Sequence, residues 1–313
     1  MSSLVVESPG LLTTVQDLGR FGFGALGVSP SGAADPVALQ IGNRLVGNDP
    51  GAAALEMTLM GGTFLFPEGG VVCMTGANFA AQLDGKELAP WKAHTMLPGK
   101  RVSLSASRDF ARCYLCVAGG IVVETFLGSA STQLLSGLGG WQGRALRKGD
   151  ILPVGEVTEF IRQKKMRPEV LEALRPRKTL RVTRGPQFDW FAEEMQKRIF
   201  EGTFRVSEEA NRMGLRLEGP PLAVREKKEL ISEGAPLGAI QVTPSGKAII
   251  LFVEQQATGG YPKIANIIGA DLHCVGQLRP QDEIRFEEIS FQQARQLWIE
   301  QQSLLNSEER LFA

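Results

Sequence analysis

The 313 residues of the chain are enough for two domains of ordinary size, each with its own apolar core. Apolar residues make up 43% of the chain, yet no uninterrupted apolar run approaches the roughly 20 residues that span a bilayer, which disfavours a membrane class. The 34 basic side chains balance 34 acidic ones, so the overall charge gives no attraction to nucleic acid or to an anionic membrane.

Histidine and cysteine are scarce. His94 and His273 are the only histidines, so a single copy of the chain cannot assemble a three-histidine zinc site. Cys113 and Cys116 lie three residues apart in a strand-like run, on opposite faces, which argues against joint chelation. We predict buried structural thiols and no metal site. Because the first residues lack the charged and apolar regions of a secretory signal, we expect a cytoplasmic protein.

The 36 glycines and 17 prolines predict many turns and few long helices. Between the turns lie short runs rich in β-branched and aromatic residues, which predict strands. In chain order, the predicted strands cover residues 4–7, 70–74, 101–105, 113–117, 180–183, 248–253 and 283–286. The sequence therefore predicts a mainly β architecture with a few helices.

Three segments have helical signals. Asp35 followed by Pro36 predicts a capped helix that ends near Gly47. A second helix is predicted directly after Gln187. The third is predicted to begin at Ser290, which opens an S-x-x-Q capping box.

Two features predict a division near the middle of the chain. The stretch 164–178 is basic and interrupted by prolines, as interdomain linkers often are, although a charged run can also be a plain solvated connection. Glycine motifs around Gly76 and Gly238 resemble each other at a separation of about 160 residues. We predict two similar β domains, at residues 1–165 and 166–313.

A literal G-x-G-x-x-G occupies residues 22–27, but no buried strand precedes it and no helix-forming segment follows, so we reject a dinucleotide fingerprint. The sequence also contains no Walker A motif and no G-x-S-x-G elbow. Common nucleotide-binding and hydrolase motifs are therefore not the source of any activity.

Two glycine-rich loops are candidate anion sites, because each precedes a predicted helix whose free N–H groups would face the ligand. The loop at 31–35 precedes the helix capped by Asp35, and a plain N-cap loop is the alternative. The loop at 258–263, T-G-G-Y-P-K, precedes a predicted helix at 264–268 and adds the charge of Lys263. A simple turn is the alternative for this second loop.

Further polar groups accompany these loops. Arg212 and the segments 232–234 and 254–256 could orient a small, amide-like substrate and stabilise developing charge. In the first half, Asp17 and Arg20 form either a structural brace or a catalytic pair.

At these residues the sequence resembles the family of the 5-oxoprolinase C subunit, also described as allophanate hydrolase subunit 2 or as biotin-dependent carboxyltransferase-type. The similarity extends from about residue 5 to about residue 289. The matching motifs are T-T-V-Q-D-L-G-R at 13–20, S-G-A-A-D at 31–35, L-V-G-N at 45–48, T-G-A at 75–77, L-G-S-A-S-T at 127–132, N-R-M-G at 211–214, S-E-G at 232–234, G-A-I-Q-V at 238–242 and T-G-G-Y-P-K-I-A at 258–265.

The resemblance implies two tandem cyclophilin-like β-barrel domains. It also implies a complex with the B and A subunits of 5-oxoprolinase that uses ATP to open 5-oxoproline to L-glutamate, with the ATP site on this chain or on a partner. Two alternatives stay open: a biotin-dependent urea or amide carboxyltransferase, and a regulator that binds a kinase inhibitor similar to the B subunit. The chain has no A-M-K-M biotin-attachment motif, so biotin would arrive on another chain.

The resemblance and the loop chemistry together give a set of predicted site residues. The predicted catalytic residues are Arg212, Glu233 and Lys263. Substrate binding is predicted for Ser31, Asp35, Gln241, Gln256, Thr258, Gly259, Gly260 and Tyr261. One departure stands out, because the family usually has D-x-Q-T-T where this chain has Glu254 and Ala257, which suggests an altered substrate preference.

Overall fold

The computed structural model describes residues 2–157, 164–224 and 230–313. The chain divides into two compact units. The first contains residues 1–20, 31–174 and 305–313, and the second contains residues 21–30 and 175–304. The division at 174 and 175 lies inside the stretch predicted as a linker, but helix and strand-like pairing occupy part of that stretch.

The first unit contains two antiparallel sheets. One has the strand order β11-β1-β4-β9-β6-β7 and the other β2-β3-β10-β5-β8. These strands are β1 (Ser2–Ser8), β2 (Thr13–Gln16), β3 (Ala54–Thr58), β4 (Thr63–Phe66), β5 (Gly70–Gly76), β6 (Gln82–Leu83), β7 (Lys86–Glu87), β8 (Ala93–Met96), β9 (Lys100–Ser103), β10 (Arg112–Val117) and β11 (Ile151–Val154).

An apolar core stabilises the first unit. Leu4, Phe64 and Leu115 belong to it and are fully buried. All residues of β10 are buried because this strand lies between β3 and β5. Such a position favours the continuous apolar run that the sequence shows at 113–117.

The second unit is a closed barrel. Its strands follow the order β12-β19-β16-β17-β14-β13-β20, and a parallel pairing of β12 with β20 closes it. A separate two-stranded ladder joins β15 and β18. The strands are β12 (Thr179–Arg184), β13 (Phe204–Val206), β14 (Gly214–Glu218), β15 (Glu233–Gly234), β16 (Ala239–Val242), β17 (Ala248–Leu251), β18 (Thr258–Gly259), β19 (Lys263–Ile267) and β20 (Glu283–Glu288).

The mainly β prediction is confirmed, and the predicted strands match observed ones. The helices are α1 (Pro36–Leu45), α2 (Pro168–Ala173), α3 (Glu193–Glu201), α4 (Leu272–Gly276), α5 (Phe291–Leu305) and α6 (Glu308–Leu311). Helix α1 carries the predicted Asp35 cap, and Ser290 and Gln293 form the predicted capping box before α5. The helix predicted after Gln187 is divided, because a 3₁₀ turn covers Phe188–Trp190, Phe191 is extended and forms a β-bridge with Val224, and α3 begins at Glu193.

The helix predicted at 264–268 is wrong, because Lys263–Ile267 form strand β19 and Ile268 is extended. Its residues pair with β12 on one side and β16 on the other, so its backbone groups bond within the barrel. Five residues with two isoleucines suit a short buried strand better than a helix. The anion site expected from a helix N-terminus at Lys263 therefore has no helix to supply it.

The prediction of buried thiols is confirmed, because all four cysteines are buried and none forms a disulfide. Burial raises the pKa of the Cys113 and Cys116 thiols, so these groups stay protonated and unreactive. Within the described residues, no helix has the length and apolar character that crossing a bilayer would require.

Candidate active site

The candidate active site lies in the second unit and contains a buried lysine. Lys263 is the first residue of β19, and only 2% of its surface is exposed. Its Nζ lies 2.6 Å from Oε1 of Glu233, whose side chain is 41% exposed. Because a buried charge needs a partner, Glu233 is the group that stabilises the Lys263 ammonium.

Gln187 holds this pair in place. Its Nε2 donates to Glu233 Oε1 at 2.8 Å, and its Oε1 accepts from the backbone N–H of Lys263 at 3.0 Å. The hydrogen bond from Lys263, which is the larger cause, and the one from Gln187 lower the pKa of the Glu233 carboxyl below its ordinary value. Both contacts use Oε1 of Glu233. No residue that the structure describes hydrogen-bonds to Oε2, so this atom can face solvent or a ligand.

A glutamine amide lies beside this carboxylate. Gln241 pairs with Lys263 across β16 and β19, and Glu233 pairs with Gly259 across β15 and β18. A Cβ added to Gly259 would lie 2.7 Å from Nε2 of Gln241 and 2.8 Å from Nε2 of Gln256. Both distances are too short for a real Cβ, so only glycine at position 259 lets the amides of Gln241 and Gln256 lie against the backbone opposite Glu233.

Arg212 belongs to a second buried ion pair in the same unit. Its Nε lies 2.5 Å from Oε1 of Glu254, and the Glu254 N–H donates to the Arg212 carbonyl at 2.8 Å. Both residues are almost fully buried. The longer acid at position 254 thus still reaches an arginine, so the departure from the family motif keeps an ion pair here.

The rest of the 258–261 segment is more open. Thr258, Gly260 and Tyr261 are exposed, whereas Gly259 is buried in β18. Gly259 and Gly260 do not adopt the left-handed conformation that favours glycine. At Gly259 the absence of a Cβ is therefore what matters, rather than backbone freedom.

Ser31 and Asp35, also predicted to bind substrate, lie in the first unit and are buried. The Ser31 hydroxyl donates to the Thr132 carbonyl at 2.8 Å, and the Asp35 carboxylate accepts from the Ala38 N–H at 2.9 Å. The loop N–H groups also have partners, because Ala34 N–H donates to Glu56 Oε2 at 2.8 Å. Within this unit, these groups stabilise the loop and the helix start.

Asp17 organises a second polar cluster in the first unit. Its carboxylate accepts hydrogen bonds from the Ser129 hydroxyl at 2.6 Å, the Ala130 N–H at 2.6 Å and the Ser131 hydroxyl at 2.5 Å. The guanidinium of Arg20 donates to the Ser131 carbonyl. Both residues thus fix the L-G-S-A-S-T loop, which agrees with the structural brace rather than a catalytic pair.

Sequence reasoning missed Gln187 as a site residue. It lies 46 residues before Glu233 and 76 before Lys263, and the sequence marks it only as the residue before a helix. No local motif identifies it, since only the barrel pairing of β12 with β19 brings the segment after β12 close to Lys263.

Comparison with known proteins identifies the family of the chain. Residues 26–288 match the family described as carboxyltransferase domain, subdomain A and B. The chain is 39% identical to the C subunit of 5-oxoprolinase from Escherichia coli K12, over 96% of its own length and 95% of the relative's. It is 36% identical to the corresponding C subunit of Haemophilus influenzae, covering 91% of this chain and 90% of the relative. The chain therefore belongs to the carboxyltransferase-domain family that includes the C subunit of 5-oxoprolinase.

A solved structure agrees with the fold. The urea carboxylase of Kluyveromyces lactis superposes with a TM-score of 0.93 at 31% identity, over 99% of this chain. The chain spans only 29% of that much longer enzyme. The similarity therefore supports a shared module and does not transfer the activity of the whole enzyme.

Proposed function

We propose that the chain is the C subunit of a cytoplasmic, ATP-dependent 5-oxoprolinase that acts with the A and B subunits to convert 5-oxoproline to L-glutamate. The observation that carries the proposal is its similarity to the E. coli C subunit over nearly the full length of both chains. By contrast, the matching urea carboxylase is more than three times as long.

The site chemistry is compatible with an amide substrate. Opening the lactam breaks the ring C–N bond, with water adding a hydroxyl to the carbonyl carbon and a proton to the nitrogen. ATP, hydrolysed to ADP and phosphate with a second water, would drive the reaction from a partner or from a shared site. Glu233, ionised and with Oε2 open, is the candidate to accept a hydrogen bond or a proton from the reacting groups.

Reconstitution tests this proposal. The chain is expressed alone and with its A and B partners, and glutamate formation from 5-oxoproline is measured with and without ATP. We expect ATP-dependent turnover only from the complex. Turnover by the isolated chain, or none by an assembled complex, would contradict the proposed function.

The second candidate is a biotin-dependent carboxyltransferase, which the family match and the urea carboxylase similarity favour. In that case the complex would carboxylate urea or another amide when given bicarbonate and a biotinylated carrier. Running the same preparation with these reagents separates the two activities. A purely regulatory role predicts tight binding to the B partner with no turnover in either assay.

A further inference from the structure

We propose that Gln241 and Glu233 together recognise an amide whose N–H and C=O lie on the same edge, as in a lactam or a urea. Gln241 supplies the hydrogen-bond donor to the carbonyl oxygen, and Oε2 of Glu233 accepts from the N–H. The proposal deepens the proposed function and depends on it only for the identity of the lactam.

The first observation is that Gln241 is buried and does not use its amide N–H groups. Only 1% of its surface is exposed, and its Nε2 has no hydrogen-bond partner among the described residues. A buried amide without a partner destabilises a fold, so such groups in native proteins call for an explanation. A ligand carbonyl beside the Gln241 amide would supply the missing acceptor.

The second observation is that Glu233 is fixed on one side only. Lys263 and Gln187 both bind Oε1, so the carboxylate has a set orientation, while no residue that the structure describes contacts Oε2. Its pKa is lowered, which keeps it an acceptor without a proton of its own at neutral pH. An open, ionised acceptor favours a ligand that presents an N–H.

The strand register brings the two groups together. Glu233 lies opposite Gly259, and the Gln241 amide packs against the same glycine, because a Cβ there would lie only 2.7 Å from Nε2 of Gln241. A donor and an acceptor side by side match an edge that carries C=O and N–H side by side. A trans amide, such as a peptide bond, carries these groups on opposite edges and cannot satisfy both.

Direct binding tests this inference. Isothermal titration is performed on the full chain in complex with its A and B partners, without ATP. The probes are 5-oxoproline, its N-methyl derivative, the lactone in which oxygen replaces the ring nitrogen, urea, and N-acetylglycine as a trans amide. We expect 5-oxoproline or urea to bind at least tenfold more tightly than the N-methyl compound, the lactone and the trans amide.

Variants assign the discrimination to residues. Gln241→Leu keeps the approximate volume and removes the amide, so we expect binding of the cis amides to fall at least tenfold. Because the amide is unsatisfied in the free protein, the same variant should unfold at an unchanged or higher temperature. Gln196→Leu is the control. The Gln196 amide donates to the Phe191 carbonyl at 2.9 Å, so this change should affect stability and leave the probe preferences alone.

Each result decides the inference. Equal affinity for the lactam and the lactone, full binding by Gln241→Leu, or no binding of any cis amide would overturn it. A lower unfolding temperature with unchanged binding would show that Gln241 is structural and would also overturn it. If urea binds with the expected preferences while the complex never opens 5-oxoproline, the inference stands and the proposed function fails.

Discussion

Replacing Lys263 should destabilise the fold less than replacing its partner Glu233. Replacing it with methionine leaves Glu233 half exposed, where water can solvate the carboxylate. Replacing Glu233 with glutamine instead leaves a buried ammonium without a countercharge, which typically costs about 3–5 kcal/mol. We therefore expect Glu233→Gln to lower the free energy of unfolding more than Lys263→Met does, as measured by denaturant titration. Equal losses of unfolding free energy in the two variants would argue against a buried ion pair between Lys263 and Glu233.

Turnover should depend on the lysine. Without Lys263, the Glu233 carboxylate loses one of the two contacts that orient it and its countercharge, so we expect Lys263→Met to lower kcat/KM of the complex at least tenfold, about 1.4 kcal/mol. Lys247→Met, at an exposed position of the same unit, is the matched control and should keep full activity. A fully active, normally assembled Lys263→Met complex would show that Lys263 is not needed for turnover and would move the search to residues 16–35.

Gln187 should shift the pH dependence of the reaction. Its hydrogen bond helps to lower the pKa of Glu233, so the carboxylate stays ionised to a lower pH than an ordinary glutamate. In Gln187→Leu the pKa rises toward its ordinary value, and the acidic limb of the kcat/KM profile should move to higher pH. An unchanged limb would show that Glu233 does not control activity.

The sequence predicted the charged residues of the candidate site but not how they are held. Arg212, Glu233 and Lys263 lie in recognisable motifs, and the structure gives each a carboxylate or ammonium partner. The supporting role of Gln187 depends on barrel closure, which no local spacing encodes. Whether these residues perform catalysis stays a prediction.

Among the elements, α1 offers a test of its N-terminal residue. Asp35 accepts a hydrogen bond from the Ala38 N–H, and losing such a cap costs about 1 kcal/mol. We expect Asp35→Ala to lower the free energy of unfolding by about that amount and Asp35→Ser to preserve it. If Asp35→Ala instead raised KM for 5-oxoproline with no change in stability, the substrate-binding prediction would be supported over the structural role.

Strand β19 shows where local patterns fail. The Pro-Lys sequence after two glycines predicts a helix start, but ladder pairing on both sides makes β19 a strand. Helix α1 and the cap of α5 were predictable because their signals are contained in a few adjacent residues. Tertiary pairing therefore decided the element that bears Lys263.

The whole molecule should lose stability in acid through Asp150. Arg144 donates two hydrogen bonds to this carboxylate at 2.8 Å and lowers its pKa to about 2. Because the folded pKa lies below the unfolded one, the stabilisation is present above about pH 4 and is lost as pH falls toward 2. We expect thermal midpoints of the wild type to fall in this range and those of Asp150→Asn to fall less. If the thermal midpoints of the wild type and of Asp150→Asn fell equally with pH, the Arg144–Asp150 pair would make no contribution to the acid sensitivity.

The predicted repeat has support in backbone conformation. Gly76 and Gly238 have φ angles of 83° and 81°, and the next glycines of the two motifs, Gly85 and Gly246, which each precede a lysine, both have 80°. Paired glycines at matching sequence positions thus share the left-handed conformation. The assignment of residues 1–165 and 166–313 to two similar domains remains a prediction, since the compact units draw on separated segments of the chain.

The segment 305–313 returns to the first unit, where Arg167 N–H donates to the Leu311 carbonyl at 2.9 Å and Ala313 N–H donates to the Lys165 carbonyl at 3.0 Å. Most of the second unit is therefore an insertion into the first unit, and the chain connects the two at both ends of residues 175–304. Limited proteolysis between residues 174 and 175 would cut one of these connections and leave the other, between residues 304 and 305, intact. Under native conditions the nicked protein should therefore elute as one species, and its two fragments should separate only after denaturation.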